Sequence, residues 1–203
     1  MRKLLGVLLC WMFCFSVFAA QNTQNNLHDL YMPAGNAIAG NPKGPITMVE
    51  FFDYNCGYCR MMYPKLLDLI NSDHNLRVIF REYPVLSPRS VLPAKAALAA
   101  QRQGKYQELH NAMMEAKMPL TESEIVKLGK SVGLNTDRLL KDINDPAIAK
   151  QVETNLAFGQ AMNIQGVPTF IVVRTTPPSK SQPEAVVGPS IDRLKEMIKS
   201  AKG

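Results

Sequence analysis

The stretch Ile-Thr-Met-Val-Glu-Phe-Phe-Asp-Tyr-Asn-Cys-Gly-Tyr-Cys, residues 46–59, carries the strongest structural signal in this chain. Its first part, Ile46 to Phe52, is an apolar run typical of a buried strand, and the residues after Cys59 have the pattern of a helix. Cys56 and Cys59 therefore lie at a strand-to-helix junction. The first turn of a helix offers unpaired backbone N–H groups and the positive end of the helix dipole, which favour a thiolate. The spacing predicts reversible thiol–disulfide chemistry.

The junction gives the two sulfurs different roles. Cys56 is expected at the helix N-terminus as the exposed nucleophile, with Cys59 one turn further along the same face and within disulfide range. A substrate thiolate attacks the exposed sulfur, and a second substrate thiol resolves the mixed disulfide. An inert buried pair or two zinc ligands are the alternatives. Zinc normally needs four ligands, and the histidines are scattered along the chain: His28, His74 and His110.

The cysteine content supports a reactive pair. The chain has four cysteines, and Cys10 and Cys14 lie in the apolar N-terminal segment. Secreted proteins that use disulfides for stability carry several well-separated cysteines, whereas Cys56 and Cys59 would close a loop too short to add much stability. We therefore interpret this pair as functional rather than structural.

The first residues have the pattern of a targeting segment. Arg2 and Lys3 precede Leu4 to Ala20, which is apolar apart from Ser16. This pattern predicts a secretory signal peptide, with cleavage after Ala19. The apolar stretch is long for a signal and short for a membrane-spanning helix, so an uncleaved membrane anchor is the alternative.

Composition and charge argue against a nucleic-acid-binding protein. The chain is 46% hydrophobic and 20% charged, as in ordinary globular proteins. Its formal net charge is +6, of which Arg2 and Lys3 contribute two positive charges. The remaining basic residues are scattered, so we expect a solvated surface and no nucleic-acid partner.

The order of the predicted elements gives the domain organisation. A second strand pattern over residues 76–83 completes a strand–helix–strand unit, which should be parallel and right-handed. Residues 88–162 are rich in Ala, Leu, Lys, Glu and Gln and predict four or five helices. Strand patterns return at residues 168–173 and 185–187. The predicted divisions are a signal segment (1–19), an arm (20–45) with a short strand near residues 37–39, a core domain (46–87 and 163–203) and a helical insertion (88–162).

Four segments carry a resemblance to a known family. They are Gly40–Gly44, Val49–Cys59, Arg81–Pro84 and Gly166–Thr169. With these segments, residues 41–199 resemble an α/β protein of the thioredoxin fold with an inserted all-helical domain. More narrowly, they are similar to the DsbA family of exported thiol–disulfide oxidoreductases, in its Com1-like branch.

This resemblance implies roles for three further residues. Pro168 would form a cis bond that turns the backbone of Val167 toward the cysteine pair, where it would hold an extended substrate peptide. An ordinary strand-edge proline is the alternative, because few X–Pro bonds are cis. Glu50 would lie beneath the disulfide and exchange protons with the inner cysteine. Its alternative is a strand-end carboxylate that reaches solvent.

The resemblance also implies partners and a direction of electron flow. Gly57 and Tyr58 differ from the Pro-His pair of the best-known oxidases and match the exported isomerases, whereas Val167 before Pro168 matches the oxidase branch. Residues 20–45 are too few for the dimerisation domain of those isomerases, so we expect a monomer. The expected function is a periplasmic oxidase without a cofactor. It would donate its disulfide to reduced exported proteins and be reoxidised by a quinone-linked membrane protein of the DsbB type.

Three other functions stay open at this point. The first is a disulfide isomerase or reductase of the same compartment. The second is a copper or zinc carrier, since Cys56, Cys59, Met61 and Met62 could supply soft sulfur ligands for Cu(I). The third is a folding chaperone whose helical insertion binds client proteins.

Overall fold

A computed structural model describes residues 37–175 and 184–202, so the predicted signal segment and most of the arm lie outside the described residues. Within these ranges the chain forms five strands, seven α-helices and one 3₁₀ turn. The strands are β1 (Ala37–Gly40), β2 (Ile46–Phe52), β3 (Leu76–Glu82), β4 (Thr169–Arg174) and β5 (Glu184–Val187). The helices are α1 (Gly57–Ser72), α2 (Val91–Gln101, after the 3₁₀ turn Pro88–Ser90), α3 (Tyr106–Glu115), α4 (Glu122–Ser131), α5 (Thr136–Ile143), α6 (Pro146–Ala161) and α7 (Ile191–Lys202).

The strands form one mixed sheet in the order β1-β3-β2-β4-β5. The central pair, β2 and β3, is parallel, as the strand–helix–strand pattern predicts, and the other pairs are antiparallel. Every residue of β2 is buried because helices cover both faces of the sheet. This explains why the strand has a continuous apolar run instead of an alternating one. The predicted thioredoxin fold with a helical insertion is confirmed.

Each face of the sheet has its own apolar cluster. On one face α1, α3 and α7 pack on side chains such as Met48, Phe52 and Phe80. On the other face the end of α6 covers Phe51 and its neighbours. Helix α6 also covers polar residues of β3 on this face that would otherwise be exposed to solvent. Arg81 is 4% exposed, and its guanidinium lies 4.1 Å from the centre of the Phe158 ring.

The helical insertion consists of the five helices α2 to α6. Helix α2 lies inside it, with Ala96 to Ala100 buried, because the short alanine side chains let neighbouring helices approach closely. Side-chain caps fix where helices α4 and α5 begin. The Thr121 side chain accepts a hydrogen bond from the amide of Glu124 at 3.3 Å, and the Asn135 side chain accepts one from the amide of Arg138 at 2.8 Å. None of the helices in the described ranges is long and apolar enough to cross a membrane.

Candidate redox site

Cys56 is the N-cap residue of α1, and the helix itself starts at Gly57. The Cys56 Sγ accepts a hydrogen bond from the amide of Cys59 at 3.2 Å. Both cysteines are free thiols in this structure. The hydrogen bond with the Cys59 side chain lowers the pKa of Cys56 to about 6, against an opposing effect of burial and with help from the amides of Cys59 and Tyr58. The same hydrogen bond raises the pKa of Cys59, as do burial and the nearby Glu50. The pair therefore divides into an acidic sulfur and one that keeps its proton.

The cis-proline loop lies directly over this sulfur. The Val167–Pro168 peptide bond is cis, and the Cys56 thiol lies 3.5 Å from the Val167 carbonyl oxygen. These residues meet because β4 runs antiparallel to β2, with Thr169 opposite Phe51, so that β4 begins where β2 ends. The loop leaves Cys56 only 4% exposed. The expectation of an exposed Cys56 is therefore wrong for this state of the site, although the predicted proximity of the loop is found.

Glu50 lies inside the core, near enough to both cysteines to influence their ionisation electrostatically. It is 1% exposed, and burial, with a contribution from Cys56, raises its pKa to about 8. Its Oε2 has no hydrogen-bond partner within the part of the chain that the structure describes. The alternative of a carboxylate that reaches solvent is wrong, and at neutral pH the side chain is a buried carboxylic acid.

The loop between β2 and α1 is held by side-chain hydrogen bonds, including those of Asp53, for which the sequence predicts a capping role in the loop or at the helix start. Asp53 accepts hydrogen bonds from the amides of Asn55 at 2.8 Å and Leu86 at 3.0 Å, so it caps this loop and not the helix. The Asn55 side chain donates to the Ser90 hydroxyl at 2.9 Å. Polar residues in loops are common, and no sequence signal marked Asn55 and Ser90 as partners.

A buried polar cluster lies behind the same loop. Tyr54, two residues before Cys56, has its hydroxyl 3.2 Å from Glu82 Oε1 and 2.8 Å from His110 Nδ1. The Tyr106 hydroxyl donates to the same Glu82 oxygen at 2.7 Å. Burial raises the pKa of Glu82 well above its usual range and lowers the pKa of His110 to about 3, so the imidazole is neutral at pH 7.

The residues that follow Cys59 have divergent roles. Arg60 donates hydrogen bonds to the carbonyl oxygens of Met113 and Ala116 at the end of α3, so its charge is directed to that helix terminus instead of to Cys56. Met61 is exposed, whereas Met62 and Tyr63 are buried in the core. Of these three side chains, Met61 is the one whose position allows contact with a substrate.

Six large apolar side chains are exposed in the described residues. They come from α1, from the segment after β3, from the α3–α4 connection and from β5: Tyr58, Met61, Val85, Leu86, Met118 and Val187. A cavity of about 990 Å³ opens between two of these segments beside Asn55, lined by residues that include Leu92, Met118 and Leu120. We call the six exposed side chains the apolar rim. In residues 37–175 and 184–202, no three His, Cys, Asp or Glu side chains come together in a way that could hold a metal ion.

An acidic thiol at a helix N-terminus, a second thiol one turn inside and a cis-proline loop above them define a thiol–disulfide oxidoreductase of the thioredoxin type. The sequence matches the DSBA-like thioredoxin domain family over residues 47–199. The chain belongs to this family.

The chain is similar to three known proteins. A thioredoxin-like oxidoreductase from Silicibacter pomeroyi DSS-3 is 33% identical, and the match covers 85% of this chain and 95% of that one with a TM-score of 0.76. Disulfide bond formation protein D from Bacillus subtilis is 28% identical over 154 residues, which cover 68% of each protein. The Na(+)/H(+) antiporter NhaA of Herminiimonas arsenicoxydans is 29% identical over 175 residues, which cover 82% of this chain and 28% of the antiporter. The chain therefore spans about a quarter of the length of the antiporters that it matches.

Proposed function

We propose that this protein is a periplasmic disulfide oxidase that donates a Cys56–Cys59 disulfide to reduced exported proteins. The observation that carries this proposal is the position of the Cys56 Sγ at the N-terminus of α1, 3.2 Å from the amide of Cys59, where its pKa is lowered to about 6. A stabilised thiolate favours the reduced form of the pair, and a stable reduced form makes the disulfide a stronger oxidant. The N-terminal signal pattern supports the location.

The reaction has two exchange steps. A substrate thiolate attacks the Cys56 Sγ, which breaks the Cys56–Cys59 bond and releases the Cys59 sulfur as a thiolate. Glu50, a carboxylic acid at neutral pH, supplies the proton that this inner sulfur takes up. A second substrate thiolate then attacks the substrate sulfur of the mixed disulfide and releases Cys56 as a thiolate. Two electrons pass from the substrate dithiol to the protein, and the substrate leaves with a disulfide.

The surroundings of Cys56 suit an unfolded substrate. The Val167 carbonyl lies beside the reacting sulfur, so a substrate segment could pair with this backbone as an added strand. The apolar rim offers contacts to the hydrophobic side chains that unfolded chains expose. A monomer would present this surface freely, and a quinone-linked membrane protein of the DsbB type would restore the disulfide.

One feature favours an isomerase or reductase as the second candidate. Gly57 and Tyr58 place no imidazole between the cysteines, which weakens the stabilisation of the thiolate relative to a Pro-His pair. The two candidates differ in the reduction potential of the pair, since a less stable thiolate makes the disulfide less oxidising.

Equilibration with glutathione buffers tests the proposal. We expect a potential above roughly −180 mV, on a scale where the DsbA oxidase lies near −120 mV and thioredoxin near −270 mV. The protein should also oxidise an unfolded client that carries two thiols, and Cys56→Ser should abolish this activity. A thioredoxin-like potential combined with reactivation of a scrambled client would overturn the oxidase role in favour of the isomerase.

A further inference from the structure

The cluster behind the Cys56 loop contains a carboxyl that the exchange chemistry does not use. Glu82 is the last residue of β3 and is 1% exposed, and its Oε1 accepts hydrogen bonds from both Tyr54 and Tyr106. Tyr54 belongs to the loop that carries Cys56, whereas Tyr106 belongs to α3 of the helical insertion. One oxygen atom therefore joins the redox loop to the inserted helices.

The proton arrangement in this cluster follows from hydrogen counting. The Tyr54 hydroxyl has one proton, which it donates to Glu82 Oε1. The 2.8 Å contact between Tyr54 and His110 must then use the Nδ1–H of the imidazole as donor. His110 and Tyr106 are four residues apart on α3, and their rings stack with centroids 5.5 Å apart. Both rings therefore lie on the side of α3 that faces the Glu82 cluster.

The environment of Glu82 favours a neutral carboxyl. The acidic groups near it are Asp53 in the loop and Glu50 on β2, and both oppose its ionisation. His110, fully buried, is also neutral. A neutral carboxyl still accepts two hydrogen bonds at Oε1 while its proton stays on Oε2, so the geometry does not require a charge.

We propose that Glu82 is a positioning residue for the redox pair: its carboxyl joins the Cys56 loop, through Tyr54, to helix α3, through Tyr106. The 3.2 Å bond from the Cys59 amide to the Cys56 Sγ depends on where this loop places Cys56. A loop released from Glu82 would hold the sulfur less well against the helix N-terminus, and the thiolate would lose stabilisation. The reduced form would then be less favoured and the disulfide less oxidising.

The test compares three variants by the Cys56 pKa, from alkylation rates, and by the equilibrium constant with glutathione. Glu82→Gln keeps an oxygen that can accept both hydroxyl protons, so both values should stay as in the unchanged protein. Glu82→Leu removes the acceptor. It should lower the equilibrium constant for reduction of the protein disulfide by glutathione roughly fivefold, about the factor that one net hydrogen bond represents. Tyr106→Phe removes one hydroxyl but keeps the ring packing. It should shift the Cys56 pKa and the equilibrium constant in the direction expected for Glu82→Leu, and it provides this test even if Glu82→Leu fails to fold.

Tyr83→Phe is the matched control. Tyr83 is also a buried tyrosine whose hydroxyl makes a hydrogen bond, to the Ile164 carbonyl, but it packs on the opposite face of the sheet. Unchanged values in both Glu82→Leu and Tyr106→Phe would overturn the proposal. A shift in Glu82→Gln as large as in Glu82→Leu, or a lower Cys56 pKa in Glu82→Gln, would overturn it too, because the charge of Glu82 would then matter instead of its position.

This inference rests on the proposed function, and the measurements separate the two. If Cys56 in the unchanged protein titrates like free cysteine, the proposed function fails before any variant is compared. If the unchanged protein has an acidic thiol and an oxidising pair while the variants match it, the role of Glu82 alone fails.

Discussion

The amide of Cys59 donates a hydrogen bond to the Sγ of Cys56 across 3.2 Å, and this contact makes the two sulfurs chemically different. The amide and the Cys59 thiol both stabilise a negative charge on Cys56, while the inner sulfur keeps its proton. The chemistry of the pair therefore depends on how α1 starts at its N-cap.

The alkylation rate of Cys56 should follow its ionisation. We expect half of the maximal rate near pH 6, with about nine-tenths of the sulfur ionised at pH 7. The same protein in denaturant provides the control, since the helix start is lost and the midpoint should move toward about 8.5. Equal midpoints in the folded and unfolded protein would show that the helix start does not acidify this thiol.

Replacing Cys59 by alanine should trap substrates on Cys56. Without the inner thiol the protein cannot release a mixed disulfide by re-forming its own disulfide, so adducts should accumulate at least about tenfold over the unchanged protein. Non-reducing electrophoresis of exported proteins measures these adducts. Cys56→Ala serves as the control and should form none; adducts of similar amount in both variants would place the reaction elsewhere.

Glu50→Gln should change how stability depends on pH. The folded protein keeps Glu50 protonated up to about pH 8, whereas the unfolded chain ionises near 4.5, so the folded state binds more protons between these values. The stabilisation is present below pH 4.5 and is lost as pH rises to about 8, by at most about 5 kcal/mol. The free energy of unfolding of the reduced protein, measured at pH 5 and pH 9, should fall less in Glu50→Gln. An equal fall in both proteins would mean that Glu50 is not a buried acid.

Two glycines allow a matched test of packing. A Cβ at Gly159 in α6 would lie 2.3 Å from the ring of Tyr83, whereas a Cβ at Gly57 would meet no atom within 4 Å. Gly159→Ala should therefore destabilise the protein by about 1–3 kcal/mol, the usual cost of overpacking. Gly57→Ala should leave the denaturation midpoint unchanged or slightly raised, because alanine favours the helix. The idea of a close contact at Gly159 is wrong if both variants unfold at the same midpoint.

The sequence was most informative where the signal is local. The apolar run of β2 and the Cys56–Cys59 spacing predicted the redox junction, because a buried strand and a helix start follow from neighbouring residues. Thr121 and Asn135 show the same principle at helix starts, since a side-chain cap acts within three residues. The position of Val167 over Cys56 came from the family resemblance and from no residue pattern near either one.

The sequence did not predict the roles of Tyr54, Glu82 and His110, because these roles depend on hydrogen-bond partners that are distant in the chain. Glu82 is adjacent to an arginine in β3 and looks like an ordinary surface acid in the sequence. Its burial results from helix α3 covering that end of the sheet. The low exposure of Cys56 likewise depends on β4, which lies far along the chain.

Sequence alone predicted the order of strands and helices and the cysteine pair at the strand-to-helix junction, which follow from hydrophobic periodicity and cysteine spacing, and the family resemblance added the fold class. The tertiary structure decided that both sulfurs are covered, which carboxyls have raised pKa values and which side chains hold the Cys56 loop. Burial and hydrogen bonding set these properties, and both arise only when residues far apart in the chain pack against each other.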